Sequence, residues 1–91
     1  MSEIHLRRKH AIGLKQGKVA VQKVADDLAE EYGIESTWEG DILRMNRSGL
    51  EGEVRLTRSD VKFDAKVGPQ LLAFRARIEE HLNETFDRYF T

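Results

Sequence analysis

The chain has 91 residues and a formal net charge of −1, long enough for one hydrophobic core and too short for two; a domain of this size buries roughly 60–65% of the surface of its unfolded chain. Its 40% hydrophobic and 34% charged residues exclude a disordered chain, and the absence of cysteine excludes a disulfide framework and thiolate metal sites. No apolar run approaches the roughly 20 residues of a membrane span, and Met1-Ser2-Glu3-Ile4-His5 lacks the pattern of a signal peptide, so one cytoplasmic domain over residues 1–91 is expected, with no membrane.

The chain opens with an alternation from Ile4 to His10 that predicts a strand, with Ile4 and Leu6 on one side and His5, Arg7 and Lys9 on the other. From Leu14 to Tyr32 the apolar residues Leu14, Val21, Val24, Ala25, Leu28 and Tyr32 recur at helical spacing, one stripe on a helix about 28 Å long. Gly33 supplies a left-handed stop. Ser36-Thr37-Trp38, the turn Glu39-Gly40-Asp41 and Ile42 to Arg47 read as a hairpin. Ser48-Gly49 then leads into Leu50–Thr57, and Arg58-Ser59-Asp60 turns into the strict alternation of Val61, Phe63, Ala65 and Val67. Gly68-Pro69 predicts a helix start, proline having no amide hydrogen to lose at the first position. A second long helix follows, with Leu71, Phe74, Ile78, Leu82, Phe86 and Tyr89 as its stripe.

The order β-α-β-β-β-β-α, with short connections in the middle, predicts an α+β two-layer sandwich. Each strand has one apolar face and each helix one apolar stripe, so both long helices are expected on one face of an antiparallel sheet. The other face meets water or a partner.

No constellation for catalysis emerges, and the expectation is that the chain is not an enzyme and holds no cofactor or metal. His5 and His10 must face opposite ways on a strand, and His81 stands beside Glu80 on the second helix. Ser48 lacks the Gly-x-Ser-x-Gly elbow, and Gly13, Gly17, Gly49 and Gly52 match neither a Walker loop nor a dinucleotide fingerprint. Adjacent acids such as Asp26-Asp27 and Glu30-Glu31 point about 100° apart on a helix and read as a solvated face.

Charge is sorted along the chain. Residues 1–23 carry six Lys/Arg against one acid, 24–41 carry seven acids and no Lys/Arg, 42–77 carry eight Lys/Arg against four acids, and 78–91 carry four acids against one Arg. Both helices are consequently charged against their dipoles. Lys15 and Lys18 begin the first while Asp26, Asp27, Glu30 and Glu31 end it; Arg75 and Arg77 begin the second while Glu84 and Asp87 lie near its end. Each misplaced exposed charge costs about 0.3–1 kcal/mol at low salt. Chance, pairing with complementary charges on the sheet and compensation by a second copy all account for this, and a homodimer is the sharper expectation.

The predicted open face collects Arg7, Lys9, Arg44, Arg55, Lys62 and Lys66 against Glu51, Glu53 and Asp64, a moderately positive surface without the aromatic rings that stack bases. Nucleic-acid binding is therefore the weaker reading beside a solvated charged face, and a small-ligand pocket between helices and sheet is a further alternative. On the apolar face of the first strand, Arg8 and His10 follow Ile4 and Leu6. Either the strand outruns the core there, or Arg8 is held by an acid such as Asp41 or Glu39. Phe63, Phe74 and Phe86 fall on core stripes. Trp38 beside its turn serves either to pack the sheet edge or to dock an apolar surface, and Tyr89 and Phe90 sit at the chain end.

The strand ending Arg8-Lys9-His10, the helix closed by Tyr32-Gly33, Trp38-Glu39-Gly40-Asp41, Gly49-x-x-Gly52 and the Ile78-Glu79 helix together resemble the polyhydroxyalkanoic acid system protein family over nearly the whole chain. Val67-Gly68-Pro69 departs from the Leu-Gly usual there. The resemblance implies a bacterial accessory protein of polyhydroxyalkanoate synthesis or storage, with storage granules or granule-associated proteins as partners and no catalytic residues to carry over. Arg7, Lys9 and Trp38 are the candidate contact surface.

Overall fold

The computed structural model describes residues 2–90. Its elements are β1 (Ser2–Lys9), α1 (Gly13–Tyr32), β2 (Glu35–Glu39), β3 (Ile42–Arg47), β4 (Leu50–Leu56), β5 (Asp60–Val67), a 3₁₀ segment (Pro69–Phe74) and α2 (Arg75–Tyr89). The five strands form one antiparallel sheet in the order β1-β5-β4-β3-β2. β2 to β5 are a meander, and β1 closes the far edge by pairing with β5 from Ser2 opposite Val67 to Lys9 opposite Asp60.

Alternation sorts the sheet into two faces. Ile4, Leu43, Met45, Leu50, Val54, Leu56, Val61, Phe63, Ala65 and Val67 are buried beneath the helices, and the residues between them meet solvent. Both helices lie on this buried side, as expected. Gly17 of α1 sits against the Leu56 side chain, and Phe86 of α2 meets Phe63 edge-on at 6.5 Å between centroids. Burying each such aliphatic or aromatic side chain stabilises the fold by about 1.5–3 kcal/mol.

α1 buries Gly17, Ala20, Val21, Val24, Ala25 and Leu28. It ends at Gly33, whose φ of 67° and amide bond to Ala29 O make the left-handed cap that its lack of a Cβ permits. Gly52 has a different role. A Cβ there would lie 2.7 Å from Ala65 Cβ and 2.7 Å from Asp64 O, so only glycine lets β4 approach β5 this closely.

The second helix departs from expectation at its start. α2 begins at Arg75, and Pro69–Phe74 forms a 3₁₀ segment instead of the first turns of an α-helix. Its anchors explain why. Gly68 N–H donates to Gly49 O, Leu71 N–H donates to Gly68 O, and Gln70 lies against Gly49. These contacts hold the segment at the end of the sheet, where Leu71 reaches the core while Leu72 and Phe74 do not. Phe74, assigned to the core by its spacing, is 43% exposed. Phe90 takes a core place from its position past the last helical turn, buried against Phe86 and His10.

Candidate docking surface

The sequence places Arg7, Lys9 and Trp38 in one contact surface; the fold separates them. Arg7 and Lys9 stand on the open face of β1, and Trp38 stands on the helix-covered face of β2, at the opposite edge of the sheet. Trp38 is half-buried against the core. Its indole Nε1–H donates to Gln22 Oε1 at 2.8 Å, and the Gln22 amide donates in turn to Asp26 at 2.9 Å. Lys18 Nζ lies 5.5 Å from the ring centroid and 3.2 Å from Asp41. A cleft of about 440 Å³ opens here between Lys18, Val19, Gln22, Lys23 and Trp38, with Val19 47% exposed at its centre. Lys23 Nζ in turn lies 5.6 Å from the Tyr89 ring. Two lysines thus lie over aromatic faces on either side of an exposed valine, each an attraction of about 0.5–1 kcal/mol.

The open face holds every cation and acid assigned to it, but its balance differs. Register adds Glu3, Asp60, Glu35 and Glu39 to the same face, so carboxylates outnumber lysines and arginines and the positive surplus expected from the sequence is absent. The charges are arranged in rows. Arg7, Lys62 and Arg55 oppose one another across β1, β5 and β4, and Asp64 opposes Glu53 in the next row. Like charges directly opposite destabilise a sheet. Here each cation leans to an acid: Arg7 diagonally across to Asp60 of β5 at 3.1 Å, and Lys62 and Arg55 along their own strands to Asp64 at 3.8 Å and Glu53 at 3.4 Å. Beside these rows the face dips into a hollow of about 430 Å³ over Gly52 and Ala65. At its rim His5 bonds Asp64 Oδ1 at 2.6 Å and Glu3 Oε1 at 3.1 Å. The Asp64 hydrogen bond, aided by Glu3, raises the His5 pKa above its ordinary 6.5 against a smaller opposing effect of desolvation.

Arg8 and His10, on the apolar side of β1, are both held. Arg8 bonds Asp87 and, at 2.9 Å, Asn83 Oδ1, both on α2, in place of Asp41 or Glu39. Those acids belong to the β2–β3 end of the sheet, and strand order puts that edge farthest from β1. His10 does not project into solvent: it is 8% exposed, its Nε2–H pointing at Thr57 O and Asp60 O at 3.0 and 3.3 Å and its ring 5.3 Å from Phe90. These contacts fix its tautomer and tie the end of β1 to the β4–β5 turn. His81 packs edge-on to Tyr32 at 6.1 Å, far from the other two in the fold. Among the described residues, no group of three or more His, Cys, Asp or Glu is placed to hold a metal ion, and no helix is long and apolar enough to cross a membrane.

The surface missed by periodicity is the 3₁₀ segment. Leu72 is 53% and Phe74 43% exposed, and Pro69, Ala73, Ala76 and Arg77 beside them are exposed as well. Arg75 anchors its end, donating to Glu3 O at 2.6 Å and lying 3.9 Å from Glu79. The available sequence signal was Gly68-Pro69 itself, which starts a turn as readily as an α-helix. This segment lies by the β3–β4 turn, at the end of β3 opposite the Trp38 cleft.

Residues 4–90 match the family model described as "Putative polyhydroxyalkanoic acid system protein". No curated protein and no solved structure matches the chain.

Proposed function

Because the chain belongs to the polyhydroxyalkanoic acid system protein family, we propose that it is a non-enzymatic accessory protein that attaches to the surface of storage granules through its 3₁₀ segment. The exposure of Leu72 and Phe74, two residues apart on a segment anchored through Leu71, carries this reading. Single exposed apolar residues are ordinary, but two large ones presented from one fixed turn offer anchors for an apolar interface. A polyester granule offers such an interface. Covering the remaining exposed area of one leucine and one phenylalanine contributes at most about 1.5–3 kcal/mol each, so a single molecule binds weakly and reversibly. Attachment is then by a folded domain, since both amphipathic helices already spend their apolar stripes on the sheet.

Fractionation of polymer-accumulating cells tests the proposal. The wild-type protein is expected to travel with granules, and Leu72→Asp/Phe74→Asp with the soluble extract at unchanged melting temperature. A wild-type protein found wholly in the soluble extract, with or without the polymer synthase, would sink it.

A further inference from the structure

The outward face of α1 is complementary to itself. Lys15, Val19, Gln22, Asp26 and Glu30 fall within about 80° of arc on the helix surface, and none of them is buried. This stripe is cationic in its first half and acidic in its second. Asp26 accepts a hydrogen bond from Gln22, while Lys15, Asp26, Asp27, Glu30 and Glu31 form no ion pair with other described residues. α1 also has no acid in its first turn, no base in its last and no side-chain N-cap, so every charge on this stripe opposes the helix dipole. Within one molecule Asp41 offsets Lys18 at 3.2 Å and the Tyr89 hydroxyl donates to Asp27 at 3.3 Å; among the described residues no ion pair offsets Lys15, Asp26 or Glu30.

We infer that α1 is the interface of an isologous homodimer in which the α1 helices of two copies pack antiparallel, centred between Gln22 and Lys23. A two-fold axis there sets Lys15 and Glu30 at equal distances of about 11 Å on either side, so that Lys15 of each copy meets Glu30 of the other. The opposed dipoles of antiparallel helices favour the same arrangement, and Lys15 at each helix start gains an acidic partner. Val19, exposed and about 5 Å from the axis, lies beside Asp26 of the second copy, and the Trp38 cleft closes beside it. Self-pairing at the β2 edge is less favourable. Antiparallel pairing of two β2 edges about Thr37 sets Glu35 against Glu39, like charge against like. Leu72 and Phe74 lie outside the α1 face, so this inference stands independently of granule attachment.

Light scattering on the full chain at micromolar concentration and low salt gives the test, with two charge variants of the stripe. Lys15→Glu/Gln16→Glu makes both halves acidic, and Asp26→Lys/Glu30→Lys makes both halves basic. Each variant improves the match to the helix dipole, so melting temperatures are maintained or raised and lost association cannot be ascribed to misfolding. The wild-type chain is expected to be a dimer that dissociates as salt rises, each variant to weaken self-association roughly tenfold or more, and an equimolar mixture of the two to recover a dimer. A wild-type monomer throughout, or a dimer that neither variant weakens, would overturn the interface, as would a mixture that stays monomeric.

Discussion

The two helices cover the same sheet by opposite means. α1 buries glycine, alanine and valine along most of its contact, and a Cβ added at Gly17 would come within 2.9 Å of Leu56. α2 fills its share with the larger Ile78, Leu82 and Phe86, the Phe86 ring lying 6.5 Å from Phe63 and 5.7 Å from Phe90. The α1 contact therefore has no room for additions, whereas the α2 contact cannot lose what it has. Cores packed to crystal-like density respond to both kinds of change.

The largest effect expected from breaking this contrast is on the ring side. Phe86→Ala removes the ring shared by Phe63 and Phe90 and should destabilise the protein by about 3–5 kcal/mol in urea titration; a loss under 1 kcal/mol would show that the aromatic cluster is not the anchor of α2. On the close-packed side, Ala25→Leu should cost about 1–3 kcal/mol by overpacking. A stabilising result would mean that α1 has slack the geometry does not show. Smaller again is Gln22→Ala, which leaves the half-buried Trp38 indole without an acceptor and should cost about 0.5–1.5 kcal/mol, with a red shift in tryptophan fluorescence as the seam loosens.

The smallest expected effect lies outside both contacts, on the open face. Because Asp64 and Glu3 raise the His5 pKa above 6.5, the folded protein holds that proton more tightly than the unfolded chain. Its contribution to stability is fully present below pH 6.5 and fades as pH rises through the folded-state value. The His5 ring should titrate by NMR with a midpoint above 6.5 and move down in Asp64→Asn. A midpoint unaffected by that substitution would remove Asp64 as the cause.

Much of this architecture was readable from alternation and helical spacing. Val61, Phe63, Ala65 and Val67 declared a half-buried strand, and the Val21, Val24 and Leu28 stripe declared a helix with one covered side. What periodicity could not carry was adjacency between elements distant in sequence. Arg8 needed an acid, but whether that acid came from the β2–β3 turn or from α2 depended on strand order, which no local pattern encodes. The same limit governed Arg7, Lys9 and Trp38, legible as exposed or amphipathic one at a time and placed on opposite faces only by the sheet. Phe74 shows the complementary limit: its helical spacing to Ile78 was real, yet the hydrogen bonds of Gly68 and Leu71 at the sheet end determined how the segment is wound. Trp38 held both of its suggested roles open because a ring beside a turn covers an edge and borders a cleft at once.

The closure of the sheet by its first strand has a kinetic consequence. β2 to β5 meet their partners across short turns, whereas β1 finds β5 only once α1 and the whole meander have been laid down in chain order. The entropy of closing that long loop falls late, when a preformed edge is ready to receive it. Thinning β1 with Ile4→Val should then accelerate unfolding and leave the refolding rate nearly untouched in stopped-flow measurements, whereas Val54→Ala within the meander should slow refolding.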